Sequence, residues 1–339
     1  MRPVAYYRPA DSEALEAVLA DSPRDVPPIA AKAQFLAGGT TILDLMKLDV
    51  ARPEILIDIN RVEDLAGIES GSDGLRLGAL ARMGDVARDP AVVRQYPVIA
   101  QSLSLAASIQ IRNMASLGGN VLQRTRCTYF RDTSWKACNK RSPGSGCAAM
   151  DGFNRAHAVL GVSPRCIATY PGDFAQALIA LDAQVEIRRG GERHRIAFAD
   201  LHRPPGDHPD VETSLAPDEM IAGFFVPAIA WSRRSRFVKV RDRESFEFAL
   251  ASAAIALDLA QDEVVNEARI ALGGVATVPW RAAEAESFMA RRRLTPEVAE
   301  QAAELAFRHA EPRKHNAFKI ALGRRTLERA LLETASIEV

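Results

Sequence analysis

Cys127, Cys138, Cys147 and Cys166 are the only thiols of this 339-residue chain, and they fall within 40 residues of one another. Thiols gathered this way in a long chain point to metal rather than to a disulfide scaffold. Their spacing, C-x10-C-x8-C-x18-C, contains no C-x-x-C pair, which disfavours a zinc ribbon or finger. Nor is it the tight run of a bacterial ferredoxin. A loop that folds back on itself can still bring four thiolates to one [4Fe–4S] cluster. Structural zinc, and four unrelated buried cysteines, stay open as readings of the spacing alone. Arg124, Arg126, Arg131, Lys136, Lys140 and Arg141 are interleaved with the thiols and could offset the negative charge of a thiolate cluster. His157 also lies in the window and is read as a loop or packing residue, since four cysteines already satisfy a cluster.

Two glycine pairs supply a second kind of chemistry. Gly38–Gly39 stands where a strand hands over to a helix, with Thr40 and Thr41 as caps and Asp44 as capping partner. Such a junction leaves backbone N–H groups unpaired and adds the positive end of a helix dipole, which suits a phosphate. Glycine allows the close backbone approach that a Cβ would block. Gly118–Gly119 repeats the idea in SLGGNVL, followed by Asn120 and preceded by Gln110, Arg112 and Asn113. Two such turns could clasp one pyrophosphate; an ordinary strand–helix bend is the competing reading of each. GSGCAA, residues 144–149, formally matches G-x-G-x-x-A, but Pro143 and a polar run precede it where a dinucleotide fingerprint needs a strand.

The elements that must position these groups follow from periodicity. DSEALEAVLAD has helical spacing with Asp11 or Ser12 as N-cap. AQFLAGG is a short buried strand, and TTILDLMKLD a helix with Ile42, Leu43, Leu45 and Met46 inward. EILIDI and GLRLGAL are strands, and PVIAQSLSLAA is a buried helix. ALIALDAQVEIRR runs from helix into strand, with HRIAFADL after it. Residues 203–218, rich in Pro and Asp, form a boundary loop. FVKVRD is a strand, FALASAAIALDL a helix, and RIALGGVAT a strand with a turn. Helices then dominate, including PEVAEQAAELAFRH and NAFKIALGRRTLERALLE.

Composition bounds the function. Acidic and basic residues number 43 each, and 47% of residues are hydrophobic. Net charge therefore steers neither nucleic acid nor an anionic membrane to this chain. No apolar run reaches the ~18 residues of a membrane span. The start lacks a continuous apolar stretch after its charges, which reads as no signal peptide and a cytoplasmic location by default.

FLAGGTTILDLMK, LIDINRV, IRNMASLGGNV and IATYPGDFAQALIALDAQVEI together resemble the FAD-binding subunits of molybdenum hydroxylases, the xanthine dehydrogenase and carbon monoxide dehydrogenase family. FVKVRDRESFEFALASAAIAL and the basic last helix extend the likeness through nearly the whole chain. The cysteine window, with NRAHAVLG before its fourth thiol, resembles the flavoprotein subunits of bacterial periplasmic aldehyde oxidoreductases; a related arrangement occurs in 4-hydroxybenzoyl-CoA reductase.

The resemblance implies an α+β fold. Its first part is a PCMH/vanillyl-alcohol-oxidase-type FAD-binding domain of two α/β subdomains, 1–60 and 61–225, with an iron–sulfur loop inserted at about 121–168. A CO dehydrogenase flavoprotein-type C-terminal domain of small antiparallel sheet plus helices, 226–339, follows. It implies FAD held by Leu36, Ala37, Gly38, Gly39, Thr40, Thr41 and Ile42 in a first pyrophosphate loop. Ser116, Leu117, Gly118, Gly119 and Asn120 form the second, with Arg112 beside it. Asp173 is expected at the adenosine portion, and Ile221 and Lys239 beside the isoalloxazine. A cation there favours the reduced ring. The same resemblance implies a [4Fe–4S] cluster on Cys127, Cys138, Cys147 and Cys166.

No acid–base catalytic residue is expected. Electrons would come from a large molybdopterin-binding subunit through the [2Fe–2S] centres of a small subunit, and leave to an external acceptor. Co-export with a twin-arginine-signal partner is then the alternative to a cytoplasmic location. Rival functional readings are the flavoprotein subunit of a 4-hydroxybenzoyl-CoA reductase-like or other molybdenum hydroxylase, and a self-contained flavin oxidase with a structural zinc loop.

Overall fold

The computed structural model describes residues 1–19, 26, 30–62 and 64–338. Its strands form three sheets. In the first, β1 (Ala5–Tyr7), β2 (Ala33–Leu36) and β3 (Ile55–Asp58) are parallel in the order β1-β3-β2. Helix Ser12–Leu19 makes the crossover from β1, with Asp11 Oδ1 accepting from Ala14 N at 2.9 Å as its cap. Residues 20 and 21, the end of that helix as read from the sequence, lie outside the described residues.

The second sheet is antiparallel. It holds β4 (Ile68–Ser70), β5 (Gly74–Gly78), β6 (Gln184–Arg189), β7 (Glu192–Ala197) and β8 (Met220–Pro227), ordered β4-β5-β8-β6-β7. Helices Met83–Arg88, Pro97–Ser104 and Phe174–Ala180 cover one of its faces. Leu75, Leu77, Val86, Ile99, Phe174 and Phe224 meet there in one buried core.

The third sheet, in the C-terminal part, is antiparallel in the order β12-β11-β10-β9, from β9 (Ser235–Val240), β10 (Ala251–Leu259), β11 (Val265–Gly273) and β12 (Trp280–Arg281). Helix Phe318–Ala335 lies on it, and helix Pro296–Ala306 packs on that helix. This α+β arrangement, a parallel sheet and an antiparallel sheet followed by a sheet-plus-helix C-terminal part, is the expected one.

FALASAAIALDL is a correction: it is β10, not a helix. Its alternate residues face two different cores. Ala251, Ala253, Ile255 and Leu257 enter the core under helix Phe318–Ala335, while Ala254 and Ala256 enter the core of the second sheet and its helices. A strand buried on both faces shows no polar alternation, so its Ala/Leu run imitates a helix. Hydrogen bonding to β9 and β11 on either side outweighs the few tenths of a kcal/mol per residue that helix propensity offers.

Among the described residues no helix is long and apolar enough to cross a membrane.

Candidate functional site

The two glycine turns line one cleft. Gly38, Gly39, Thr40, Thr41 and Ile42 stand on one wall, and Ser116, Gly118 and Gly119 on another. They are neighbours because Gly38 has no side chain: a Cβ there would lie 2.1 Å from the carbonyl oxygen of Met114, just before the second turn. The first turn is an open loop with Gly39 at φ +73°, a left-handed conformation that glycine takes without strain. The backbone N–H groups of Gly38 through Ile42 donate to no group among the described residues. That array fits an anionic diphosphate.

The second turn differs from its reading as a bend. Residues Leu117–Val121 form a short helix capped by Ser116, whose Oγ accepts from Gly119 N at 3.2 Å. Leu117 N donates to Ala81 O at 3.0 Å and Gly118 N to Ala79 O at 2.8 Å. These amides are already paired.

The capping expected around Thr40, Thr41 and Asp44 does not form. Thr41 is the N-cap of helix Ile42–Lys47 but makes no side-chain bond to it. Asp44 instead reaches Arg131 at 2.8 and 3.1 Å and Arg126 at 3.3 Å. The Arg131 hydrogen bond, foremost, holds its carboxyl below the usual range. Leu43, read as inward, is exposed, while Leu45 and Met46 are buried.

Ile221 lines the cleft, as do Ala37 and Ile42, but Leu36, Arg112, Leu117, Asn120, Asp173 and Lys239 do not. Arg112 donates to the carbonyls of Ala106 and Ala107 at 2.6 and 3.1 Å. Asn120 Nδ2 faces Met83 Sδ at 3.4 Å. Asp173 and Lys239, expected at opposite ends of FAD, pair with each other at 2.6 Å, only 4% and 1% exposed. Burial pushes the Asp173 carboxyl up against the opposing charge of Lys239. Asp173 begins helix Phe174–Ala180 without a side-chain cap bond.

Residues 203–218 contribute walls that the sequence reading missed. Asp210, Glu212, Thr213, Leu215 and Pro217 all border the cleft. Nothing in that Pro- and Asp-rich run announces a site, because its partners are distant in sequence.

The four cysteines surround one small cavity, together with Tyr129, Phe130, Lys140 and Ala168. Cys138 and Cys147 pair as an antiparallel bridge, and buried Asn139 ties that hairpin to the Arg165 carbonyl at 3.0 Å. All four thiols are free. Burial pushes Cys127 up to about 12 and Cys166 up to about 11, so each is a neutral thiol unless a bound cation displaces its proton. Among the described residues no group of three or more His, Cys, Asp or Glu side chains is arranged to hold a single metal ion. His157 is more than packing: its Nε2 lies 3.2 Å from Cys127 Sγ.

The interleaved cations do not gather on the sulfurs. Arg126 and Arg131 go to Asp44, and Arg124 and Lys140 to Glu212. Arg141 donates to the carbonyls of Tyr129, Phe130 and Trp135, and Lys136 to that of Thr133. Burial alone would raise Glu212, yet Arg124 and Lys140 carry it down to about 2.

Comparison with known proteins gives the family. The FAD binding domain in molybdopterin dehydrogenase matches residues 2–229, and the CO dehydrogenase flavoprotein C-terminal domain matches residues 236–334. The chain is 45% identical over 303 residues, 89% of its length and 91% of the relative's, to the aldehyde oxidoreductase FAD-binding subunit PaoB of Escherichia coli. It is 27% identical to the carbon monoxide dehydrogenase medium chain of Hydrogenophaga pseudoflava, over 88% of each chain. A crystal structure of the dehydrogenase from that organism superposes with a TM-score of 0.73 at 25% identity, covering 99% of this chain and 98% of the other. The chain belongs to the FAD-binding oxidoreductase subunits of the molybdenum hydroxylase family.

Proposed function

We propose that this chain is the FAD-holding electron-transfer subunit of a molybdenum-dependent aldehyde oxidoreductase, and that its four cysteines hold a [4Fe–4S] cluster. The observation that carries the reading is the convergence of both glycine turns on one cleft, with the open amides of Gly38 to Ile42 on its wall. The 45% identity to a protein named as an aldehyde oxidoreductase FAD-binding subunit supports the aldehyde assignment. The partners are then a large molybdopterin-binding subunit and a small [2Fe–2S] subunit, with an external acceptor.

When bound, FAD supplies reversible electron transfer that no side chain here can perform. The chain's own residues bind and orient it. Amides 38–42 donate to the diphosphate, Ser116 holds the second turn in shape, and Ile221 packs at the cleft wall.

For the cluster, support comes from four free thiols around one cavity. Their spacing, with no C-x-x-C pair, disfavours a zinc ribbon or finger.

The visible spectrum of the anaerobically purified holoenzyme, with flavin and metals counted, tests the reading. One FAD and about four iron atoms bound by this chain, beyond those of the partner's [2Fe–2S] centres, are expected. Zinc in the cysteine cavity would sink the cluster assignment, and a cleft without flavin would sink the whole.

A further inference from the structure

The pairing around the cysteine segment is organised by two carboxylates that lie outside it. Asp44 sits on helix Ile42–Lys47, directly after the first glycine turn, and grips Arg126 and Arg131, one on each side of Cys127. Glu212 sits in the cleft wall and grips Arg124 and Lys140; Lys140 Nζ lies 2.7 Å from its Oε1. Arg124 and Lys140 are 7% and 11% exposed, so water and salt screen these pairs less than surface ones. Arg124 also stacks on Phe130, 4.4 Å from the ring centroid, and Phe130 borders the thiol cavity.

The cavities are contiguous through the same residues. Arg124, Glu212 and Thr213 border both the flavin cleft and a second, smaller cavity. Lys140, Cys166 and Ala168 border that cavity and the thiol cavity. Four cations of one inserted segment are thus held by Glu212, in the cleft wall, and by Asp44, on the helix that follows the first glycine turn.

We propose that Asp44 and Glu212 couple the occupancy of the two sites. Closure of the cysteine segment around its metal sets Arg124, Arg126, Arg131 and Lys140 against the two carboxylates, and that fixes the walls of the flavin cleft. Filling either site tightens the other, by the same factor in both directions, because such linkage is reciprocal. Asp44 and Glu212 act here as positioning residues. The inference rests on the reading that the thiols hold a [4Fe–4S] cluster and the cleft holds FAD.

The test compares the parent holoenzyme with the Asp44→Asn/Glu212→Gln double variant. Iron and flavin are counted first: a parent without the cluster or without FAD overturns the functional reading itself. With both present, the FAD dissociation constant is measured by flavin fluorescence before and after anaerobic removal of this chain's iron with a chelator. In the parent, iron removal weakens FAD binding about tenfold; in the double variant the two constants agree within about twofold. In the reverse arm, stripping FAD with concentrated bromide speeds iron loss to the chelator in the parent only.

Equal FAD affinity with and without iron in the parent overturns the coupling while leaving the functional reading intact. Equal weakening in parent and variant overturns the role of the two carboxylates. The parent arms need no substitution, and the single variants Asp44→Asn and Glu212→Gln, each expected to lose part of the coupling, serve if the double variant does not fold.

Discussion

Gly38–Gly39 and Gly118–Gly119 are alike as sequence and unlike as structure. Among the described residues, the first pair opens a loop whose amides are unclaimed. The second opens a short helix whose amides are bonded to Ala79, Ala81 and Ser116. Glycine serves a different end in each. At Gly38 and Gly39 it lets the chain pass against Met114 and turn left-handed, with no acceptor on these amides among the described residues. At Gly118 it lets the helix lie on Ala79, where an added Cβ would meet the Ala79 Cβ at 3.1 Å. A motif that reads as two equal phosphate clamps has, among the described residues, open amides in one turn and paired, close-packed amides in the other.

That asymmetry is open to attack at several points. The largest effect belongs to Gly38→Ala, which drives a Cβ into the Met114 carbonyl and separates the turns. We expect loss of bound flavin and a cost of about 3 kcal/mol, read as flavin content and denaturant midpoint. Hydrogen exchange addresses the amides directly. Saturating FAD should slow exchange at residues 38–42 about a hundredfold and leave Leu117 to Asn120 nearly unchanged. Equal protection of both turns would break the comparison.

Gly118→Ala should cost about 1–2 kcal/mol, because only the Ala79 contact must give way. Ser116→Ala removes the cap on Gly119 N at 3.2 Å and should cost about 1 kcal/mol in urea unfolding, with flavin retained.

Acid gives the smallest effect. Asp44 anchors the helix after the first turn, and its pKa is held below the ordinary 3.8 by Arg131. A depressed carboxylate stabilises fully above 3.8 and loses its contribution as pH falls through its lowered folded value. The second turn, capped by a hydroxyl, has no such dependence. Hydrogen exchange should therefore find the first turn loosening below pH 3.8 and, from this cause, not above it.

Much of this was legible in the sequence where the determinant is local. The strand–glycine–helix order at 33–47 is in the residues, and so is the thiol cluster. Three things were not. Residues 251–259 hide a strand because both faces are buried, and burial on two sides erases alternation. The cations among the cysteines look like counter-charges to sulfur, but Asp44 and Glu212, which Arg124, Arg126, Arg131 and Lys140 meet, are 72 to 88 residues away along the chain. Likewise Asp173 and Lys239, 66 residues apart, gave no hint of each other. Long-range pairing leaves no period to read.

The last part of the chain reaches back to the middle. Asn316 Nδ2 donates to the carbonyls of His157 and Ala158 at 3.4 and 3.0 Å, Lys319 Nζ donates to Ala156 O at 3.1 Å, and His315 N donates to Asn154 Oδ1 at 3.0 Å. Residues 154–158 lead from the third cysteine to the fourth. Their backbone contacts are complete only once residue 319 has been synthesised, about ten to thirty seconds after Cys166 at roughly 5–20 residues per second. During that interval the four cysteines stand without their final frame, which residues 315–319 supply only when they arrive.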